Sequence, residues 1–191
     1  MDNDGDKDSL VRDRRGPERG VYWLERPVRK KVTNSKFWKR HLIGGEKREI
    51  LFISTGDLDK DKKIDVIAID KKSIIWFKKE SDSWKEIIIP LPEGVGTGKS
   101  TAVCDVNGDQ KNDIVFSCEN SKGKLSGMRW LSWNKSPHSG SWTHNEIGGP
   151  LGHKYDRVVM YDVDGDGDLD ALCCEEVDQL GVFWYENPHL N

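Results

Sequence analysis

Tryptophan recurs along this chain of 191 residues at a nearly constant spacing. The segments GVYWLERP, SIIWFKKE, GMRWLSWN and GVFWYENP place Trp23, Trp76, Trp130 and Trp184 at intervals of 53, 54 and 54 residues. A second tryptophan follows the first three, in FWKRHLI, SWKEIII and SWTHNEI. Self-similarity at a fixed period is typical of repeat architectures, so this period restricts the folds that the chain can adopt.

Each unit of about 54 residues predicts four short strands. In the third unit these are STAVCD, DIVFSC, GMRWLSW and WTHNEI, which are rich in β-branched and aromatic residues. Four-stranded units of this length are typical of propeller blades. We therefore predict an all-β fold, a β-propeller built from four-stranded antiparallel blades, with four repeat units in this chain and with the tryptophans filling the space between blades. The alternative is a β-sandwich with accidental periodicity.

The organisation follows from the repeat. We predict that residues 1–191 form a single propeller region, with units at about 1–46, 47–96, 97–150 and 151–191. The first unit lacks its first strand and the last unit lacks its fourth. Open sheet edges expose unpaired backbone groups, which proteins normally avoid. Either the chain is part of a longer ring, or four blades close on themselves, or edges pair between molecules, and two copies would then make eight blades.

The most acidic stretch is DVDGDGDLDAL, in the fourth unit. Loop positions 1, 3, 5 and 9 are Asp162, Asp164, Asp166 and Asp170, and position 7 offers the carbonyl of Asp168. Oxygen ligands at this spacing suit Ca²⁺, which takes roughly six to eight of them in flexible geometry. Carboxylates this crowded repel one another unless a cation lies between them. The loop therefore predicts a calcium site.

An EF-hand is the competing interpretation, and it requires a bidentate glutamate at position 12. Position 12 is Cys173 here, and it is Phe116 and Ala68 in the third and second units. Both flanks of the loop predict strands and not helices. We therefore predict a calcium-binding turn within a β-hairpin.

Weaker copies of the loop occur in the other units. The predicted ligands are Asp105, Asn107, Asp109, Asp113 and the Lys111 carbonyl in the third unit, Asp57, Asp59, Asp61, Asp65 and the Lys63 carbonyl in the second, and Asp2, Asp4 and Asp8 in the truncated first. Gln110 and Lys62 replace glycine at position 6, which predicts strain if that position needs a positive φ. We expect about three complete Ca²⁺ sites and a truncated fourth, for which a solvated acidic turn is the alternative.

These loops and tryptophan strands resemble the FG-GAP/VCBS repeat family, the calcium-binding propeller blades also found in integrin α-subunits. The resemblance covers nearly the whole chain and is carried best by KYDRVVMYDVDGDGDLDALCCEE followed by GVFWYENP. It implies extracytoplasmic propellers with calcium between the first two strands of each blade. It also implies roles in adhesion, carbohydrate binding or scaffolding beside enzymes. It identifies no ligand, because function depends on sites grafted onto a fold.

We expect an extracellular or secreted module, with the periplasm or the cell surface as alternatives, that recognises a glycan or protein and is non-catalytic. Two alternatives stay open. One is the propeller part of a polysaccharide lyase or hydrolase, although no catalytic cluster is evident outside the loops. The other is a structural subunit whose open blade edges pair into homo-oligomeric rings or fibres.

Basic residues precede the first strand of each unit, on the face that we expect to lie opposite the calcium loops. These residues, which would suit an anionic or polyhydroxylated partner, are Lys47, Arg48, Lys99, His153, Lys154 and Arg157. Ordinary solubilising charge is the alternative. Trp133, outside the tryptophan repeat, is a further candidate contact.

Three classes of interaction are disfavoured by the sequence. The net charge of -3 argues against non-specific nucleic-acid binding. No apolar run reaches the length of a membrane helix, so we expect no membrane insertion. The four cysteines lack zinc-site spacing; Cys104 and Cys118 either face each other across neighbouring strands or are free thiols.

Overall fold

The computed structural model describes residues 1–2, 4–148 and 152–188 of the chain. The strands form four antiparallel sheets, one for each repeat unit, and hydrogen-bonded neighbours within a sheet are consecutive in the chain. Sheet 1 contains β1 (Ser9–Asp13), β2 (Gly20–Glu25) and β3 (Lys39–Gly44); sheet 2 contains β4 (Phe52–Gly56), β5 (Asp65–Ile69), β6 (Ser73–Lys79) and β7 (Trp84–Pro90); sheet 3 contains β8 (Thr97–Cys104), β9 (Asp113–Glu119), β10 (Met128–Trp133) and β11 (Trp142–Gly148); sheet 4 contains β12 (Val159–Tyr161), β13 (Asp170–Glu175) and β14 (Gly181–Tyr185). The predicted all-β fold is confirmed.

In the described residues, helical structure is limited to short segments. The 3-10 helices of the described residues are Arg29–Lys31, Ser35–Phe37 and Pro137–Ser139. No helix in this part of the chain is long and apolar enough to span a membrane.

The second strand of each central sheet is buried on both faces. β5 reads DVIAI and β9 reads DIVFSCE, so the aspartate is followed by four apolar residues in β5 and by three in β9. A short continuous apolar run of this kind is typical of a strand covered from both sides. Here the covering layers are the neighbouring sheets, because sheets 2 and 3 each have a sheet packed on either face.

Three hydrophobic clusters join the sheets in chain order, and each contains or contacts a tryptophan of the repeat. Trp23 of sheet 1 packs with Phe77 of sheet 2, and Trp76 of sheet 2 packs with Phe116 of sheet 3. Trp130 packs against the cluster that links sheets 3 and 4. The expectation that these aromatic residues fill the space between units is therefore confirmed at these three interfaces.

The outer face of each terminal sheet is not covered by another sheet among the described residues. On sheet 4, Val159, Tyr161, Val182 and Trp184 are exposed, while Leu42 is exposed on sheet 1. No hydrophobic cluster of the described residues joins sheet 4 to sheet 1. The packing of the described residues therefore does not establish a closed four-bladed ring.

The cysteines are free thiols. Cys118 belongs to the cluster between sheets 2 and 3, whereas Cys104 belongs to the cluster between sheets 3 and 4. Their side chains thus lie on opposite faces of sheet 3, and the alternative in which they face each other is wrong. Burial raises the pKa of both thiols to about 12.

Candidate metal centres

Acidic loops connect the first two strands of sheets 2, 3 and 4. We call residues 57–65 the second loop, 105–113 the third and 162–170 the fourth; residues 2–8, which precede β1, form the first loop. At position 5 of the three complete loops, the carboxylates of Asp61, Asp109 and Asp166 accept hydrogen bonds of 2.9, 2.9 and 3.0 Å from the backbone N–H two residues later. Aspartate forms turns in this way, so the candidate ligands also fold the loop.

Loop positions 4 and 6 have a left-handed backbone in all three complete loops. The φ angles are 57° and 68° at Lys60 and Lys62, 69° and 65° at Gly108 and Gln110, and 83° and 100° at Gly165 and Gly167. Position 6 therefore does require a positive φ, as the strain prediction assumed. Glycine adopts this conformation freely, whereas other L-residues lose about 1–2 kcal/mol. The second loop, with lysine at both positions, is the most strained.

The aspartate at position 9 ties the loop to the sheet. Asp65, Asp113 and Asp170 are buried, and each accepts a hydrogen bond from the backbone N–H of loop position 2, over 3.3, 3.1 and 2.9 Å. Asp65 also accepts one from the N–H of Lys79, the last residue of β6, and Asp170 accepts one from the N–H of Asn187, two residues after β14. These carboxylates therefore hold the hairpin together whether or not they bind a cation.

Carboxylate oxygens converge in two of the loops. One oxygen from each of Asp57, Asp59 and Asp61 lies within 4.8 Å of the others, and so does one oxygen from each of Asp162, Asp164 and Asp166. In the third loop, Asn107 takes the place of the aspartate at position 3. The position-9 aspartates are in neither group. The carbonyls of Lys63, Lys111 and Asp168 stay predicted ligands.

Some buried carboxylate oxygens of the loops accept no hydrogen bond, and they indicate where a cation would fit. In the third loop, Oδ1 of Asp105 and Oδ1 of Asp113 are buried and accept no hydrogen bond from the described residues, and the same holds for Oδ1 of Asp59 in the second loop. An unsatisfied buried charge is costly, and a hard cation would satisfy it. Burial, together with the charges of Asp109 and Asp105, raises the pKa of Asp113 to about 7. The third loop therefore fits Ca²⁺.

The fourth loop fits Ca²⁺ for a different reason. Asp162 accepts hydrogen bonds from Gly165 N and Gly167 N, over 2.7 and 3.2 Å, and Asp164 accepts one of 3.2 Å from Asp166 N. No lysine, arginine or histidine of the described chain forms an ion pair with Asp162, Asp164 or Asp166. Three converging carboxylates are thus left without a counter-charge, and a divalent cation would supply it.

The first loop is the weakest candidate. Asp4 accepts a hydrogen bond of 3.0 Å from Asp6 N, and Asp8 accepts one of 2.9 Å from Arg26 N, as Asp61 and Asp65 do at the same positions of the second loop. The ammonium of Met1 also contacts the carboxylate of Asp8. Asp2, Asp4 and Asp8 do not form a convergent group among the described residues. The register of this loop agrees with the alignment, but the predicted ligand set is not brought together.

A positively charged side chain already occupies the second loop. Lys78, at the end of β6, contacts the carboxylate of Asp59, and its Nζ lies 2.6 Å from Oδ2 of Asp61. The hydrogen bond from Lys78 is the main reason that the pKa of Asp61 is below its ordinary value. Nε2 of His138 lies 3.0 Å from Oδ2 of Asp59. The carboxylates of this loop converge, but the space between them fits Ca²⁺ poorly.

Most basic residues of the predicted ligand face are paired with acids. Lys99 is largely buried, with Nζ 2.9 Å from Glu119 and 3.2 Å from Asp156. The other pairs are Arg48 with Asp70 and Glu86, His153 with Asp178, and Lys154 with Glu176. Lys47 and Arg157 are exposed. Residues 149–151 of the loop before His153 lie outside the described residues. Ligand binding by this face stays a prediction.

Trp133 does not share that face. It is the last residue of β10, and its indole Nε1 donates a hydrogen bond of 2.9 Å to the carbonyl of Asn112 in the third loop. Nζ of Lys111 lies 5.4 Å from the centre of the indole ring. Trp133 therefore lies beside an acidic loop, and its contacts are structural.

A comparison with known families identifies the repeat. The sequence model of an FG-GAP-like repeat matches residues 57–116 and again 105–173. The chain belongs to the FG-GAP-like repeat family. Each FG-GAP-like match begins at the first aspartate of an acidic loop, Asp57 or Asp105, and ends within the second strand of the following sheet. No match was found among curated proteins.

One residue that contacts an FG-GAP-like loop was missed by the sequence interpretation. Lys78 lies two residues after the repeat tryptophan, where the other units have Glu25, Ser132 and Glu186. The first and fourth units have glutamate at this repeat position, so a lysine there reverses the charge. That reversal is the sequence signal that indicates Lys78. Its contact with the loop depends on the pairing of β5 with β6, which brings the end of β6 beside the loop.

A cleft of about 470 Å³ lies between sheets 3 and 4, beside the third loop. Its lining combines aromatic side chains with carboxylates, namely Trp130, Tyr185, Glu146 and Glu186. Mostly apolar pockets with a few polar groups are the usual form of a ligand site. The sequence interpretation placed no ligand-binding candidate here, because Trp130 belongs to the structural repeat; of the predicted metal ligands, Asn107 is part of the lining.

Proposed function

We propose that this chain is an extracellular, calcium-stabilised array of propeller-type blades that acts as a non-catalytic recognition or assembly module. The observation that carries the proposal is the unbalanced charge of the third and fourth loops. The third has buried carboxylate oxygens without donors, and the fourth has three converging carboxylates without a counter-charge in the described chain. Ca²⁺ supplies the missing interactions and joins the first two strands of a sheet.

The proposed location agrees with the kind of site. Short acidic loops of this type use oxygen ligands from a single turn, and calcium sites of extracellular modules typically have dissociation constants of roughly 10⁻⁴–10⁻³ M. Such sites are filled where Ca²⁺ is abundant. We infer a structural role for the metal, because the third and fourth loops each connect the first two strands of a sheet.

Thermal unfolding with and without calcium tests the proposal. We expect EDTA to lower the Tm by several degrees and excess Ca²⁺, but not Mg²⁺ at the same concentration, to restore it. Asp164→Asn should remove part of the Ca²⁺ response, since it weakens the ligand set of the fourth loop. Asp82→Asn, in the exposed turn before β7, is the matched control. Equal Tm values in EDTA and Ca²⁺ would contradict the metal assignment.

The cleft between sheets 3 and 4 supports the recognition part of the proposal, with a glycan or a protein segment as ligand. Arrays of glycans and peptides, probed with the labelled chain in Ca²⁺, would identify candidates. For any candidate, Glu186→Gln should weaken binding if the cleft is used. Weakening by Lys47→Ala or Arg157→Ala alone would instead locate the ligand on the predicted basic face.

The exposed outer faces of sheets 1 and 4 favour assembly as a second function. Trp184 lies at the repeat position that the next sheet covers in the rest of the chain. We propose that a second copy of the chain supplies the missing sheet. Sedimentation velocity over a range of concentrations should show association that Val182→Lys abolishes. A monomer at every concentration would exclude assembly through these faces.

A further inference from the structure

The second loop differs from the others in how its charge is balanced. The side chain of Lys78 is only 15% exposed, and its ammonium contacts two of the three converging carboxylates, those of Asp59 and Asp61. Nζ of Lys63 approaches Asp61 to 3.7 Å, and the His138 ring contacts Asp59. In the fourth loop, no equivalent cation reaches the carboxylates within the described residues.

The position of Lys78 is fixed by the sheet. Lys78 follows Trp76 by two residues on β6, and Trp76 is fully buried between sheets 2 and 3. The Nζ of Lys78 lies 5.9 Å from the centre of the Trp76 ring, and the His138 ring stacks on the same indole with the ring centres 4.7 Å apart. The ammonium is therefore held in the loop by packing and not by chance rotation of an exposed side chain.

A lysine ammonium and Ca²⁺ compete for the same place. The ammonium offers three N–H donors and one positive charge to a carboxylate group, whereas Ca²⁺ requires the same oxygens as direct ligands. A Ca²⁺ ion between Asp57, Asp59 and Asp61 would have to displace Lys78 from two of them. It would then lie close to a like charge, which is unfavourable.

We propose that Lys78 replaces the calcium ion in the second loop, so that this chain contains loops of two kinds: a third and fourth loop that take Ca²⁺, and a second loop that is closed permanently by its own lysine. The difference between the two kinds of loop rests on the proposed calcium function. The ion pairs of Lys78 with the second loop form without metal. Sheet 2 is then stable when Ca²⁺ falls, while sheets 3 and 4, whose loops depend on metal, loosen.

The experiment compares Lys78→Met with Lys85→Met, an exposed lysine of β7 that serves as the control for loss of one charge. In EDTA, we expect Lys78→Met to lower the Tm by several degrees and Lys85→Met to leave it unchanged. Isothermal titration should then show one more Ca²⁺ per chain for Lys78→Met than for the unmodified protein, and Ca²⁺ should restore its Tm. Equal Tm values for the two variants in EDTA, or an unchanged number of Ca²⁺ ions, would overturn the proposal.

A second variant keeps the proposal testable if Lys78→Met does not fold. Asp61→Asn removes a carboxylate from the second loop without removing the lysine, and it should leave the number of Ca²⁺ ions per chain unchanged. Loss of one Ca²⁺ ion in Asp61→Asn would show that the second loop binds metal in the unmodified protein, and the proposal would be wrong. If the unmodified protein binds no Ca²⁺ at all, the calcium function fails, and the Tm of Lys78→Met in EDTA still decides the role of Lys78.

Discussion

Trp76 and Trp184 occupy the same position of the repeat and have different surroundings. Trp76 is fully buried between sheets 2 and 3, against Phe116 and Leu131. Trp184 lies on the outer face of sheet 4 and is 36% exposed, beside Val182, which is 76% exposed. In repeat proteins, stability is approximately a sum of terms within each unit and between neighbours. The contribution of this tryptophan therefore depends on the next sheet and not on its own strand.

The largest expected effect is the difference in stability between alanine variants of these two tryptophans. Trp76→Ala should lower the free energy of unfolding by about 3–5 kcal/mol, because it leaves a cavity between two sheets. Trp184→Ala should cost less, about 1–3 kcal/mol, since 36% of the residue is already exposed and no second sheet encloses a cavity around it. Denaturant unfolding at low protein concentration, where any association is suppressed, measures both. Equal losses would mean that another element covers Trp184.

The two faces of sheet 4 also differ: the inner face is tightly packed against sheet 3, whereas the outer face is exposed. A Cβ added to Gly127 would lie 1.9 Å from the ring of Tyr155, which is fully buried between sheets 3 and 4. Gly127→Ala should therefore cost about 1–3 kcal/mol in unfolding free energy, the usual range for an overpacked core.

A double variant supplies the control for Gly127. Tyr155→Leu shortens the side chain that the new methyl group meets, so Gly127→Ala should be less harmful in that background than in the unmodified protein. Additive losses in the two backgrounds would show that the interface relaxes without a clash.

Much of the fold is predictable from spacing alone. The intervals between tryptophans predict four units, and the strands predicted in the third unit agree with β8 to β11 within a few residues. The left-handed backbone at Lys62 and Gln110 was also predictable, because the fourth loop has glycine at that position. These features are local or periodic, so one sequence is enough to find them.

The rest depends on contacts between residues distant in the chain. Lys99 was a candidate ligand-binding residue, but Glu119 and Asp156 neutralise it after the strands pair. Lys78 was not a candidate at all, although the third strand of sheet 2 carries it to an acidic loop that ends 13 residues earlier. Charge partners of this kind are decided by tertiary structure and are not visible in a motif.

The smallest expected effect is a difference in labelling rate between thiols. It measures the exposure of the outer face of sheet 4 in the unmodified protein. Cys118 is fully buried between sheets 2 and 3, and burial raises its pKa to about 12. Cys174 pairs with Val182 in sheet 4, on the same outer face, and is only partly buried. Burial also raises the pKa of Cys174, so its reaction should be slow but measurable.

Thiol labelling of the native protein should therefore modify Cys174 before the other three cysteines. The thiolate is the reactive species, and a pKa of about 12 leaves roughly one Cys118 in 10⁴ ionised at pH 8 even before access is considered. Cys174→Ser should remove the first labelled thiol with little change in stability. If Cys104, Cys118 or Cys173 were labelled as fast as Cys174, these three thiols would not be buried between sheets in solution. If a second copy covers the outer face, the labelling rate of Cys174 in the native protein should fall as protein concentration rises. The labelling rate of the unfolded protein should stay constant. The same side chain thus distinguishes an open terminal sheet from one that is closed by association.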